Sequence, residues 1–233
     1  ASSMLAHHWL AAHDVPRALP ASVRAGRAAA AAAAPSAAQL HFERALELWQ
    51  QVPDAESRAG TDHSHLLEAA ASAAARAGAV DRGLALVDQA LSEVGYGGPL
   101  ERRATLLVRR AELLADLGRD GEALGVYEEA EALLPRDLPS KVSAQVLSAF
   151  ARVLVRVGQI SRAGELAARA LEAAQAVGAT EERFESQYTV AQSMAYRGEV
   201  EAGMALLEQV SGEAAQVGLP WLTTRSYIAL SDV

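Results

Sequence analysis

The chain has 233 residues and a formal net charge of -8, and 51% of its residues are hydrophobic while only 5% are aromatic. That apolar content is too high for a disordered chain, yet no apolar run is long enough to span a bilayer. Cysteine is absent, which excludes disulfide scaffolds, thiolate metal sites and cysteine nucleophiles, and the acidic balance argues against a nucleic-acid surface, which needs clustered basic charge. There are 53 alanines, and of the 21 basic residues only Lys141 is a lysine, a bias that fits a GC-rich genome. No basic and apolar leader opens the sequence, so the cytoplasm is the expected compartment. Helical pattern runs almost from Ala1-Ser2-Ser3-Met4 to Ser231-Asp232-Val233, and the chain is read as a segment of a longer protein.

Apolar spacing predicts about twelve helices and no strand. In chain order they span 1–13, 16–33, 36–52, 62–77, 80–95, 100–117, 119–134, 139–157, 159–177, 180–197, 199–217 and 220–233. Pro16 and Pro35 suit helix starts, whereas Pro20, one turn into a helix, should delay the start or kink it. The alanine run 28–34 favours helix. Segment 53–61 (PDAESRAGT) is the most polar loop and the expected hinge.

The phase of these helices repeats. Gly78, Gly118, Gly158 and Gly198 stand 40 residues apart, each placed to close a helix in the left-handed conformation. Seven residues before them lie Ala71, Ala111, Ala151 and Ala191; five after them lie Gly83, Ala123, Ala163 and Gly203. Twelve after them lie Ala90, Ala130, Ala170 and Val210, and eleven before them Leu67, Leu107, Leu147 and the exceptional Gln187. Small residues in such columns let paired helices approach, while large apolar ones fill the layer between pairs. The N-terminal part follows the same scheme with shifted phase and turns expected near His13 and Ala33.

The pattern resembles the tetratricopeptide repeat. Phe42 and Tyr127 fill its aromatic position, while Val87, Ala167 and Leu207 replace it elsewhere. Arg110 falls at a normally apolar position of the first helix of its pair. The predicted fold is an all-α, right-handed solenoid of antiparallel helix pairs forming a single repeat domain over 1–233. Residues 1–52 are phase-shifted, 62–217 hold four repeats, and 220–233 begin a further helix.

Catalytic patterns are missing. Lys141 has no glycine-rich run before it, so no phosphate-binding loop exists here. His7, His8, His13, His41, His63 and His65 show no metal-ligand spacing on one helix face. No GxSxG elbow appears, and Glu128-Glu129 and Glu181-Glu182 read as solvated pairs. Trp9, Trp49 and Trp221 are expected to pack in the core. No catalytic, metal or cofactor-binding residue is therefore assigned.

A groove lined by the first helix of each pair is the expected functional surface. Its positions give His65, Glu68, Ser72 and Arg76; then Thr105, Glu112 and Asp116; then Gln145, Ser148, Arg152 and Arg156; finally Glu185, Tyr188, Gln192 and Tyr196. Arg152 and Arg156, one turn apart, have the spacing to grip a carboxylate or phosphate, and Tyr188 and Tyr196 to stack a ligand. The alternative is a solvated face with Arg152 paired to Glu112 or Asp116. The asparagine-and-lysine clamp of chaperone-binding repeats is absent.

The stretches LAHHWLAAHDVPRALPASVRAGRAA (from Leu5 to Ala29) and HFERALELWQQVPDAESRAG (from His41 to Gly60), with YEEAEALLP from Tyr127 and YIALSDV from Tyr227, resemble large LuxR-family regulators of the actinobacterial, maltose-regulon-activator type. That resemblance implies a sensing or interaction segment between an ATPase and a LuxR-type helix-turn-helix, both outside this chain. ATP and magnesium would belong to the absent ATPase part, and no cofactor to this segment. A protein partner or small inducer would occupy the groove, without nucleic-acid or membrane contact, and exposed apolar ends would favour a homo-oligomer. The alternative is a scaffold that docks a protein and has no transcriptional role.

Overall fold

A computed structural model describes residues 2–135 and 137–219. The chain divides into two compact units, Ala1–Arg119 and Asp120–Val233. The first holds α1 (Ser2–Ala11), α2 (Val15–Ala31), α3 (Pro35–Trp49), α4 (Ala55–Ala59), α5 (His63–Arg76), α6 (Val80–Val94) and α7 (Leu100–Asp116). The second holds α8 (Asp120–Ala132), α9 (Lys141–Arg156), α10 (Ile160–Val177), α11 (Thr180–Tyr196) and α12 (Val200–Gln216). No strand occurs among the described residues, and the helix expected at 220–233 lies outside them, as does Trp221.

Helix starts follow from local chemistry. The Asp14 carboxylate accepts from Arg17 N–H, that of Asp62 from His65 N–H, and Ser140 forms a reciprocal capping box with Ser143. Each satisfies an amide that the helix leaves without a partner. Pro16 and Pro35 sit in the first turns of α2 and α3, where no backbone donor is needed. Pro20 does not delay α2, which begins at Val15 and runs through it. The Asp14 cap fixes the start upstream of that ring.

Packing obeys the repeat. In the first unit α1 packs on α2, α2 on α3, α3 on α5, α5 on α6 and α6 on α7. In the second, α8 packs on α9, α9 on α10, α10 on α11 and α11 on α12, and α9 also touches α11. The columns Ala71, Ala111, Ala151, Ala191 and Ala90, Ala130, Ala170, Val210 are buried throughout. Ala123 and Ala163 are buried with them, as are Gly83 and Gly203. Tyr127 and Phe42 are buried at the aromatic position, and the Tyr127 ring stacks on Phe150 at 5.3 Å with a 7° interplanar angle.

The four repeat glycines have φ between 72° and 95°, and the shifted turns at His13 and Ala33 adopt the same left-handed region with φ of 54° and 51°. Their hydrogen bonding matches: Ala34 N–H donates to Ala29 O at 2.9 Å, as Gln159 N–H does to Leu154 O at 2.8 Å. This six-residue closure satisfies an orphan carbonyl, but in alanine it crowds Cβ against the following carbonyl. Ala33→Gly should therefore stabilise the protein by about 0.5–1 kcal/mol, the left-handed penalty less the extra freedom of glycine in the unfolded chain. A thermal melt should rise by roughly 2 °C; a fall would show that Ala33 carries no strain.

Two expectations change. Segment 53–61 is not an open loop, because it contains α4, docked on α2 with Val52, Ala55 and Ala59 buried. Arg27 Nη2 also donates to Gly60 O at 3.4 Å. Arg110, unexplained by the repeat pattern, lies at a part-buried position where its Nε meets Asp88 Oδ1 on α6 at 2.7 Å. The α6–α7 seam accepts a cation there because it supplies the counter-charge.

Candidate functional site

The predicted groove residues occupy four columns at fixed distances before each turn glycine, and the columns behave differently. The last one, Arg76, Asp116, Arg156 and Tyr196, is exposed throughout. The columns of Ser72, Glu112, Arg152, Gln192 and of Thr105, Gln145, Glu185 are half-buried. The column of Ser148 and Tyr188 is buried, at 3% and 5% exposure. Tyr188 is therefore a core residue, packed with Phe184, Ala191, Leu207 and Val210, and not a surface for stacking a ligand.

In the second unit Arg152 Nη1 lies 3.3 Å from Glu185 Oε1, so the stripes of α9 and α11 adjoin. Arg156 Nη2 turns instead to Asp120 Oδ1 at the start of α8, at 2.5 Å. The two guanidinium groups thus engage different carboxylates of the protein rather than converging on one anion. Ser148 donates its hydroxyl to Gln145 O at 3.1 Å, a common use of a helical serine. What remains open on this face is Gln145, Gln192 and Tyr196, hydrogen-bonding groups flanking an ion pair.

The stripe of the first unit is also charged. Arg102 of α7 pairs with Glu68 of α5 and donates to Ser64 Oγ at 3.2 Å. Arg102 was not among the predicted positions, although an arginine 34 residues after Glu68 suits an inter-repeat pair. Glu112 accepts from Arg109 at 2.7 Å, and Thr105 donates to Glu101 O at 2.9 Å. Arg76 and Asp116 stand exposed at the helix ends.

His65 belongs to a cap. Its ring Nδ1 lies 2.5 Å from Asp62 Oδ2 while its N–H donates to Asp62 Oδ1. Burial alone would raise the Asp62 pKa, but hydrogen bonds from the His65 backbone and ring and from Ser64 outweigh it, lowering the pKa from 3.8 to about 2. A depressed carboxylate pKa stabilises the folded state above its unfolded value, and that contribution disappears as pH falls through the folded one. Asp62→Ala should cost about 1 kcal/mol at neutral pH. The gap between wild type and variant should close as urea titrations move from pH 4 to pH 2; a constant gap would mean that the charge is irrelevant to the cap.

Among the described residues no cluster of three or more His, Asp or Glu side chains converges as metal ligands do. No helix among them is long and apolar enough to cross a membrane. Trp9 packs on Ala6, Ala21 and Ala25 with the Arg17 guanidinium 4.8 Å from its ring. Trp49, expected in the core, is only half-buried and lines a cleft with His63, which the helical pattern did not reveal.

No protein-family model matches the chain, and no curated protein matches it. Solved structures do. A putative kinesin light chain with nearly identical TPR-like repeats, from Podosopora anserina, is 20% identical and superposes with a TM-score of 0.65, covering 87% of this chain and 97% of that one. The fold is tetratricopeptide-like. A signal-transduction ATPase with numerous domains and a tetratricopeptide repeat sensor, from Pyrococcus horikoshii, gives 0.71 at 11% identity, over 94% of this chain and 33% of that one. A Rap protein complexed with competence and sporulation factor gives 0.69 at 14% identity, over 91% and 57%. At these identities the likeness concerns the fold alone.

Proposed function

We propose that this tetratricopeptide-like chain is a non-catalytic interaction segment whose α9–α11 face docks a peptide segment of a partner or a small inducer. The observation that carries the reading is the adjoining pair of polar stripes joined at Arg152 and Glu185. Both helices bury their other faces in the core. Open amide and phenol groups at Gln145, Gln192 and Tyr196 suit hydrogen bonding to a peptide backbone or to a polar metabolite.

In its finer form the proposal makes this the sensor of a LuxR-type, ATP-dependent transcription regulator. The sequence resemblance supports that form, as does the size relation to the repeat-bearing ATPase, which this chain matches over one third of its length. A bound ligand would shift the regulator between resting and assembled forms only through different affinities for the two.

Selection of random peptides and a metabolite thermal-shift screen on the intact chain test the docking face. A ligand should emerge whose amide chemical-shift changes concentrate on α9 and α11, and Gln145→Ala with Gln192→Ala and Tyr196→Ala should abolish its binding. A ligand that binds the triple variant equally well refutes this face as the site. For the finer form, the full reading frame should encode a GxxxxGK[ST] loop upstream and a helix-turn-helix downstream; a frame lacking both leaves a plain adaptor.

A further inference from the structure

We propose that the cleft between the end of α3, the α4 turn and the start of α5 binds the guanidinium group of an arginine side chain presented by a peptide. The cleft has a volume of about 650 Å³ and is lined by Trp49, Val52, Asp54, Ala55, Glu56 and His63. Val52 and Ala55 are buried beneath it, while Trp49 keeps part of its indole open. The Trp49 and His63 ring centroids lie 5.0 Å apart at a 41° tilt. His63 Nδ1 sits 2.9 Å from both carboxylate oxygens of Glu93, which fixes that ring as a wall.

The charge pattern selects the ligand. Neighbouring carboxylates are already matched within the protein, Glu43 by Arg82, Glu47 by Arg44 and Glu93 by His63. Asp54 and Glu56 are not. Asp54 stands at the N-cap of α4 without capping it, in the left-handed conformation with φ of 54°, and Glu56 is exposed in the first turn. No hydrogen bond or ion pair holds either carboxylate among the described residues. No arginine or lysine lines the cleft.

Two unmatched carboxylates beside a part-open indole form the counterpart of one chemical group. A guanidinium is flat enough to lie on an aromatic face and forked enough to bond a carboxylate with two parallel N–H groups. An ammonium offers no such plane, and a neutral amide gains nothing from the charges. The cleft is open to solvent and belongs to the first unit, whereas the α9–α11 face belongs to the second, and no residue is shared between them, so it stands or falls independently of the docking proposal.

The test uses the intact chain with Nα-acetyl-arginine amide as probe, following the Trp49 indole N–H in a nitrogen-correlated spectrum, with Trp49→Phe to assign the signal. A saturable shift is expected, and the neutral isostere Nα-acetyl-citrulline amide should bind about tenfold more weakly or not at all, as loss of a charge-assisted contact implies. Asp54→Asn with Glu56→Gln should weaken the arginine probe to the same degree, while the thermal transition confirms that the variant folds. Citrulline binding as tightly as arginine, an unchanged affinity in the double variant, or no saturable shift at all overturns the proposal.

Discussion

Phe150→Ala should lower the stability of the protein by about 3–5 kcal/mol, the cost of emptying a fully enclosed aromatic site. Phe150 is 0% exposed, stacked on Tyr127 from α8, and covered on α10 by the Arg162 guanidinium 4.9 Å from its ring. Arg162 in turn lies 3.0 Å from Glu128 on α8, so one ring ties three helices together. Truncation removes both the buried area and the surface on which Tyr127 and Arg162 rest. Urea unfolding should shift by roughly 2 M at its midpoint, whereas Phe150→Leu should cost less than half as much. A loss near 1 kcal/mol for alanine would show that α8 and α9 can collapse onto each other, and that the aromatic position is incidental to the repeat.

Gly203→Val should destabilise by about 3 kcal/mol, at the upper end for overpacking because the obstacle is backbone. A Cβ at Gly203 would lie 2.7 Å from Ala191 O and 2.9 Å from Ala195 N. The α12 helix therefore approaches the main chain of α11 too closely for any side chain, and the two must separate to admit one. Of the corresponding positions, Ala123 and Ala163 are buried with a methyl group in place, while a Cβ at Gly83 would lie 3.0 Å from Ala71 O, a less severe approach than at Gly203. Chemical denaturation of the full chain with far-ultraviolet circular dichroism measures the change. A neutral or stabilising valine would mean that α11 and α12 do not meet in this register.

The helix pairing was legible because it rests on columns of small residues, which the alanine and glycine spacing exposes directly. The turns at His13 and Ala33 could be placed although neither is glycine, since flanking small residues keep phase even where the turn residue changes. What failed was finer. The α4 helix has five residues, too short to show a period, and Pro53 and Gly60 on either side read as loop. Repeat position alone puts Tyr188 in the groove, yet its column also contains Val108, buried at 2%. An apolar residue in that phase signals the seam between neighbouring helices. Arg152 and Arg156 share a face, but one helical turn directs them to different neighbours, Glu185 and Asp120. Only tertiary contacts decide such pairings.

Because the chain contains no cysteine, its register can be read by a single engineered cross-link. A Cβ at Gly164 on α10 would lie 3.3 Å from the Cβ of Ser193 on α11, slightly closer than the roughly 3.5–4.5 Å of a relaxed disulfide, so that a small parting of the two helices admits the bond. Gly164→Cys with Ser193→Cys should oxidise spontaneously and completely to an intramolecular bond, and the cross-linked chain should retain its helical spectrum. If that pair stays reduced while Gly164→Cys with Gln192→Cys, one position out of register, closes instead, the forty-residue packing scheme is wrong.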